Sequence, residues 1–350
     1  MTGLPIADFH GFNYSGSWGT SGLDLWQHHD NGLMAVEVAR GKRFFPGWNV
    51  ARWWLSNEAF QRGPERFLAN LEAGLRIFDA HGIRVMPVLF NRWRDPICDF
   101  GGVPLDHIIP GASHYVESDE FAAADGDRGP DWKPHAIFRR YLEAVVGAHA
   151  ADERIVAWDL CNEPLSGRYV SDPDHPLRIG ELRWLTWCRD VAKASGAAQP
   201  LTIATNAHPV AVAAVEPISD AISVHAYHIP GLAPDFAGDF AHVGSREGYE
   251  RFLDSLVTLG ERTGKPVLAS ETVWGAIDDA EHVELIRYTL RALRERGIGF
   301  IAHALHHSLV ADLHAAEYGP VGNPERLEFI NADGSLRAGH EAFNEFAPAS

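Results

Sequence analysis

The chain has 350 residues and a formal net charge of −17. Hydrophobic residues make up 46% and charged residues 22%, the balance of a folded protein with a sizeable core, which excludes disordered, collagen-like and coiled-coil classes. No apolar run reaches the ~18 residues that a membrane span needs, and the acidic balance argues against a nucleic-acid partner, which needs a basic stripe.

Met1 to His10 shows neither the basic nor the apolar region of a secretory leader, so a cytoplasmic location is the expectation. Strands are predicted near Phe9–Asn13 and Asn49–Trp54. Glu65–Ala80 then carries apolar residues at helical spacing (Phe67, Leu68, Leu71, Leu75, Ile77, Phe78). His81-Gly82 ends that helix, and an apolar strand follows over Val85–Phe90. Further strands are predicted at Ile155–Cys161, Leu201–Ala204, Ala221–His225, Val267–Ser270 and Phe300–Leu305. The helices Phe252–Leu259 and Leu285–Leu293 each end in a Gly (Gly264, Gly297), the residue that closes a helix most easily.

Near-continuous apolar strands alternating with amphipathic helices imply a parallel sheet buried on both faces. Eight such units predict one (β/α)8 barrel domain over residues 1–350. A doubly wound sheet is the alternative, but Gly16 and Gly19 lack the dinucleotide spacing after the first strand. Long connections follow strands 3, 6 and 8 (residues 91–133, 227–244 and 306–331). Connections of that length are usually functional or disordered, and the aromatic content (Trp93, Phe100, Tyr115, Trp132, Phe236 and Tyr318) favours ordered walls around a site.

Two strand ends carry the chemistry. Trp158-Asp159-Leu160-Cys161-Asn162-Glu163-Pro164 runs from an apolar strand into a Pro, which cannot continue the ladder. Pro266-Val267-Leu268-Ala269-Ser270-Glu271 is another apolar strand ending in Glu. Glu163 and Glu271 sit three strand–helix units apart, so strands 4 and 7 face each other across the mouth where barrel enzymes work. Facing carboxylates are what glycoside hydrolysis requires, one as proton donor and one ionised. A Glu at a strand end can also be plain solvated punctuation, but the pair with Asn-Glu-Pro favours catalysis.

These motifs resemble the clan A retaining glycoside hydrolases, most of all glycoside hydrolase family 5, the cellulase family. Arg52 in Asn49-Val50-Ala51-Arg52-Trp53 resembles the family's second-strand Arg, and His225 and Tyr227 its sixth-strand His-x-Tyr. The resemblance implies that Glu163 is the acid/base and Glu271 the nucleophile. It also implies that Asn162 binds the sugar 2-hydroxyl, that Tyr227 hydrogen-bonds Glu271, and that Arg52 keeps Glu271 ionised. A guanidinium beside a carboxylate favours the ionised form on physical grounds as well.

The chain departs from the family twice. Its third strand ends in Asn91 where a His is usual. Its eighth reads Ala302-His303-Ala304-Leu305-His306 where a Trp platform is usual. Asn91, Trp274 and His306 are therefore the remaining candidates for sugar contact.

Cofactor and metal are expected to be absent. The three cysteines (Cys98, Cys161, Cys188) form no CxxC, the chain has no HExxH, and neighbouring His residues such as His28-His29 and His306-His307 point opposite ways on extended chain. Asp95, Cys98 and Asp99 are the weak metal candidates. The expected function is a retaining hydrolase of β-linked glycosides, exo-acting on oligosaccharides or small glycosides. A catalytically silent carbohydrate-binding barrel and a transglycosidase using the same two Glu stay open. So do the sugar and the oligomeric state.

Overall fold

The computed structural model describes residues 3–92, 101–109, 133–232, 238–308 and 326–348. Eight parallel strands close in chain order: β1 (His10–Tyr14), β2 (Val50–Trp54), β3 (Arg84–Asn91), β4 (Trp158–Asn162), β5 (Leu201–Thr205), β6 (Ile222–Ala226), β7 (Val267–Thr272) and β8 (Gly299–Ala302). β8 returns to β1, with Phe12 opposite Ala302. The strands are buried almost throughout, as sequences this apolar require when helices cover one face and a filled barrel the other. This is the (β/α)8 barrel the sequence predicts.

Among the described residues seven longer helices surround it: α1 (Asn31–Phe44), α2 (Pro64–Asp79), α3 (Lys133–Ala148), α4 (Pro176–Ala194), α5 (Pro209–Val215), α6 (Arg246–Thr263) and α7 (Asp279–Arg294). Their starts are fixed locally. Ser245 accepts from the Gly248 amide at the head of α6, and Asp278 accepts from the Glu281 amide at the head of α7. Gly264 closes α6 in the left-handed region, with φ 69°. After β8 a 3-10 helix, His340–Phe346, packs on α7.

Ile6, Phe9, Val50, Met86, Leu268 and Ile301 fill the N-terminal end of the barrel. Backbone approaches so closely there that a Cβ on Gly299 would lie 1.8 Å from the Ile6 carbonyl oxygen. The opposite end is free to carry polar groups.

Two strands differ from the sequence reading at their ends. Ile155 makes only an isolated bridge to Val85, and β4 starts at Trp158. β8 stops at Ala302, because the chain beyond it turns to pair with a later segment through His306 and Ile330.

Ladder irregularities lie between Asp159 and Asn162, between Val224 and His225, and between Ala269 and Thr272. All three sit toward the C-terminal ends of their strands. A bulge re-aims the side chains beyond it. Residues three apart on a regular strand face opposite sides, yet Asp159 and Asn162 both reach Arg52. The irregularity between them accounts for that.

Most of the three long connections lies outside the described residues, as do Trp93, Asp95, Cys98, Asp99, Phe100, Tyr115, Trp132, Phe236 and Tyr318. The near end of the first is anchored: Gly102 bridges Asn91, and Arg92 donates to the Val103 carbonyl and to Glu181. Cys161 and Cys188 are buried free thiols. Among the described residues no helix is long and apolar enough to cross a membrane.

Candidate active site

Arg52, fully buried on β2, is the hub at the C-terminal end of the barrel. Its Nη1 donates to Glu271 Oε1 (2.6 Å) and Asn13 Oδ1 (3.0 Å). Its Nη2 donates to Asp159 Oδ2 and Asn162 Oδ1, both at 2.7 Å, and its Nε also reaches Asp159 Oδ2 at 3.0 Å. One guanidinium thus ties together β1, β2, β4 and β7. A buried charge is tolerable only when paired and hydrogen-bonded in this way.

The two glutamates meet above it. One carboxylate oxygen of Glu163, one of Glu271 and a ring nitrogen of His225 lie within 4.8 Å of one another. His225 Nδ1 is 2.7 Å from Glu163 Oε1 and 3.4 Å from Glu271 Oε2. The Tyr227 hydroxyl donates to Glu271 Oε2 at 3.0 Å. Glu163 itself has φ 46°, a left-handed backbone that a non-glycine residue adopts at a cost of about 1 kcal/mol. Strain of this kind concentrates at functional sites.

Electrostatics act strongly on Glu271. Burial by itself would raise the Glu271 carboxyl. His225, His303 and Arg52 outweigh burial and hold it at about 2, against an ordinary 4.5. His303 is pushed below its ordinary value by burial, and Arg52 is a cation at every pH at which the protein is folded. Burial and the neighbouring Glu271 charge raise the Tyr227 phenol well above its ordinary value, which keeps it a donor. Glu271 is therefore a fixed anion with both oxygens held.

Asn162 is oriented from two sides. Its oxygen accepts from Arg52, and its amide nitrogen donates to Asn91 Oδ1 at 2.9 Å, leaving one N–H for a ligand. Trp274 stands edge-on to Tyr227, with ring centroids 5.4 Å apart. His306 is placed differently. It is buried against Tyr14, with Nε2 3.4 Å from Glu37 Oε2 and Nδ1 2.7 Å from the His307 carbonyl. Glu37 also takes the hydroxyls of Tyr14 and Ser17. The contacts of His306 belong to that network and not to the carboxylate pair.

Asn13, Asp159 and His303 were absent from the sequence-predicted set. Asp159 had a readable signal, an acidic residue inside an otherwise apolar strand. Asn13 had a weaker one, at the polar end of β1. His303 Nδ1 lies 3.9 Å from Glu271 Oε2, and the His303 ring meets Trp54 edge-on at 5.7 Å.

Glu163, His225 and Glu271 also have the spacing to share a metal ion. Arg52 already neutralises Glu271 at 2.6 Å, and a divalent cation there would meet a guanidinium that cannot lose its proton. The residues fit a free carboxylate pair better than a metal site. A second cluster, Glu72, His149 and Asp152, is likewise occupied by a cation, Arg154.

Arg52→Lys tests the electrostatics. Lys keeps a charge but cannot fork to four acceptors. The Glu271 carboxyl should rise, so less of it is ionised in acid, and the acid limb of kcat/KM should move to higher pH by about 1–3 units. A limb that stays in place sinks this account. The same depressed value makes Glu271 contribute stability that is fully present above 4.5 and lost as pH falls toward 2.

No protein-family model and no curated protein matches the sequence. Solved structures match its fold. An exo-β-1,4-mannosidase from the Opitutaceae bacterium strain TAV5 superposes with a TM-score of 0.70 at 17% identity, over 99% of this chain and 62% of that one. A GH5_18 protein from Streptomyces cattleya, solved in complex with GlcNAc, gives 0.66 at 15% identity over 97% and 80%. A glycoside hydrolase family 5 mannosidase from Rhizomucor miehei, in complex with mannosyl-fructose, gives 0.63 at 15% identity over 97% and 92%. The chain thus has the fold of family 5 glycosidases, and it spans less than two thirds of the first of these proteins.

Proposed function

We propose that this protein is a retaining glycoside hydrolase that cleaves β-linked glycosides by double displacement. The observation that carries the reading is the pair of carboxylates with oxygens within 4.8 Å, one of them held as an anion by Arg52 and Tyr227. Retaining enzymes place the two groups about 5–5.5 Å apart, whereas inverting enzymes leave room for a water between them.

Glu271 attacks the anomeric carbon, and Glu163 protonates the departing oxygen. Water, deprotonated by Glu163, then releases the sugar with its configuration kept. The remaining N–H of Asn162 is placed to meet a hydroxyl beside the reacting carbon, where a contact that strengthens in the oxocarbenium-like transition state supplies several kcal/mol. A binding module has no need of a depressed carboxylate or a strained Glu163, so the silent-barrel reading is set aside.

The length in sequence of the connections after β3, β6 and β8 favours exo action on oligosaccharides or small glycosides. The solved neighbours bound to GlcNAc and mannosyl-fructose support a small ligand, and the mannosidases among them put β-mannosides at the head of a test panel. Aryl glycosides of glucose, galactose, mannose, xylose, arabinose and fucose, in α and β forms, test the reading. Turnover confined to β forms is expected. On a soluble β-mannan, reducing ends should accumulate while viscosity stays high. A rapid fall in viscosity with few new ends sinks the exo mode.

A further inference from the structure

His303 has a place in the site but no task in the chemistry described so far. Its Nδ1 is sealed from solvent with no hydrogen-bond partner, 3.9 Å from Glu271 Oε2 and so beyond bonding reach. The side chain as a whole is 24% exposed, against 10% for Glu271. Nδ1 is sealed and Nε2 is not among the sealed polar atoms. An unpartnered polar atom at such depth costs free energy, so its retention calls for a reason.

The field of the site fixes the tautomer. Glu271 is an anion, and an N–H dipole pointing at an anion is favoured over a lone pair pointing at it. The proton therefore sits on Nδ1, which leaves a lone pair on Nε2. Burial keeps the ring uncharged at neutral pH. Trp54 braces the ring from the side, and Trp54 is itself stacked on the Arg52 guanidinium at 4.8 Å. The wall above the nucleophile is thus a rigid hydrogen-bond acceptor.

Resting on the hydrolase reading, we infer that His303 is a specificity-determining residue whose Nε2 accepts a hydrogen bond from one hydroxyl of the sugar held over Glu271. The substrate class follows: a neutral hydroxylated ring. A sugar bearing a carboxylate at that position would meet an imidazole lone pair beside Glu271 and Glu163, while Arg52 is committed to Glu271, Asp159, Asn13 and Asn162.

The test pairs His303→Phe with a series of monodeoxy aryl β-glycosides of the best sugar from the panel. On the parent glycoside the variant should lose about tenfold or more in kcat/KM. On the one deoxy sugar that lacks the partner hydroxyl, wild type and variant should differ by less than about twofold, because the bond is already gone. His303→Gln, whose amide oxygen restores an acceptor, should recover part of the loss, and it serves in place of His303→Phe if that variant does not fold. The aryl β-uronide should be the poorer substrate for wild type. Equal losses across every deoxy sugar, or a wild-type preference for the uronide, overturn the role of His303 while leaving the hydrolase intact. Wild-type protein that turns over none of the glycosides overturns the hydrolase reading and this inference with it.

Discussion

Glu271→Ala should leave no measurable turnover of any glycoside, activated or not, a loss on the order of 10⁵-fold or more of the kind seen when an acting nucleophile is deleted. Both oxygens of Glu271 are already held, Oε1 by Arg52 and Oε2 by Tyr227, so the group is presented in one orientation and as an anion. Without it no glycosyl-enzyme can form, and a water entering the space left by the carboxyl has no base on that side to deprotonate it, because Glu163 serves as the proton donor. A good leaving group does not help, because the missing step is the attack itself. Arg52 keeps its contacts to Asp159 and Asn162 in the variant, so the fold should survive better than the activity. Glu271→Gln, isosteric and uncharged, should be as inactive; it loses the buried ion pair with Arg52, so it should unfold at a lower temperature than wild type yet stay folded at the assay temperature. Turnover within tenfold of wild type in either variant removes Glu271 from this role.

How much of this was legible beforehand depended on whether a signal was local. The strands announced themselves because each is a short apolar run between helical patterns, and Gly264 marked the end of α6 by chemistry that depends on one residue. Glu163 and Glu271 were legible for the same reason, as acidic residues just where an apolar run stops. The hub around Arg52 was only half legible. That Arg52 meets Glu271 was implied by resemblance. That it also binds Asp159 and Asn162 depends on a ladder irregularity after Asp159, and its bond to Asn13 on the pairing of β1 with β2, neither of which leaves a mark in the sequence. His306 and His303 show the limit most plainly. They stand three residues apart in one His-rich run after β8, and nothing local says which faces the carboxylates. The chain turns away after Ala302 to pair with Ile330, which carries His306 toward Glu37 and leaves His303 beside Glu271. A contact between segments distant in sequence made that choice.

Glu163→Ala should behave differently from the nucleophile variant, and the difference identifies the roles. General acid catalysis contributes about 10²–10⁴-fold, and its worth grows as the leaving group becomes more basic. An alkyl glycoside or natural disaccharide should therefore lose about that factor, while an aryl group that departs as a stable phenolate loses far less in the first step. The second step is slowed too, since no base remains to deprotonate water, and the glycosyl-enzyme on Glu271 should accumulate as a burst of released phenol. Azide needs no base. It is small enough for the space left by the carboxyl, and it should restore turnover of the activated substrate. It would enter from the Glu163 side of the sugar and displace Glu271, so two inversions give a β-glycosyl azide. An α-azide from this variant would mean that azide had replaced the nucleophile, and that Glu163 and Glu271 hold each other's roles. His225, whose Nδ1 lies 2.7 Å from Glu163 Oε1 and 3.4 Å from Glu271 Oε2, would then serve the opposite partner. For wild type, NMR of the first-formed sugar should show the β configuration retained. An inverted product would require a water between the carboxylates, which the 4.8 Å approach of their oxygens does not accommodate.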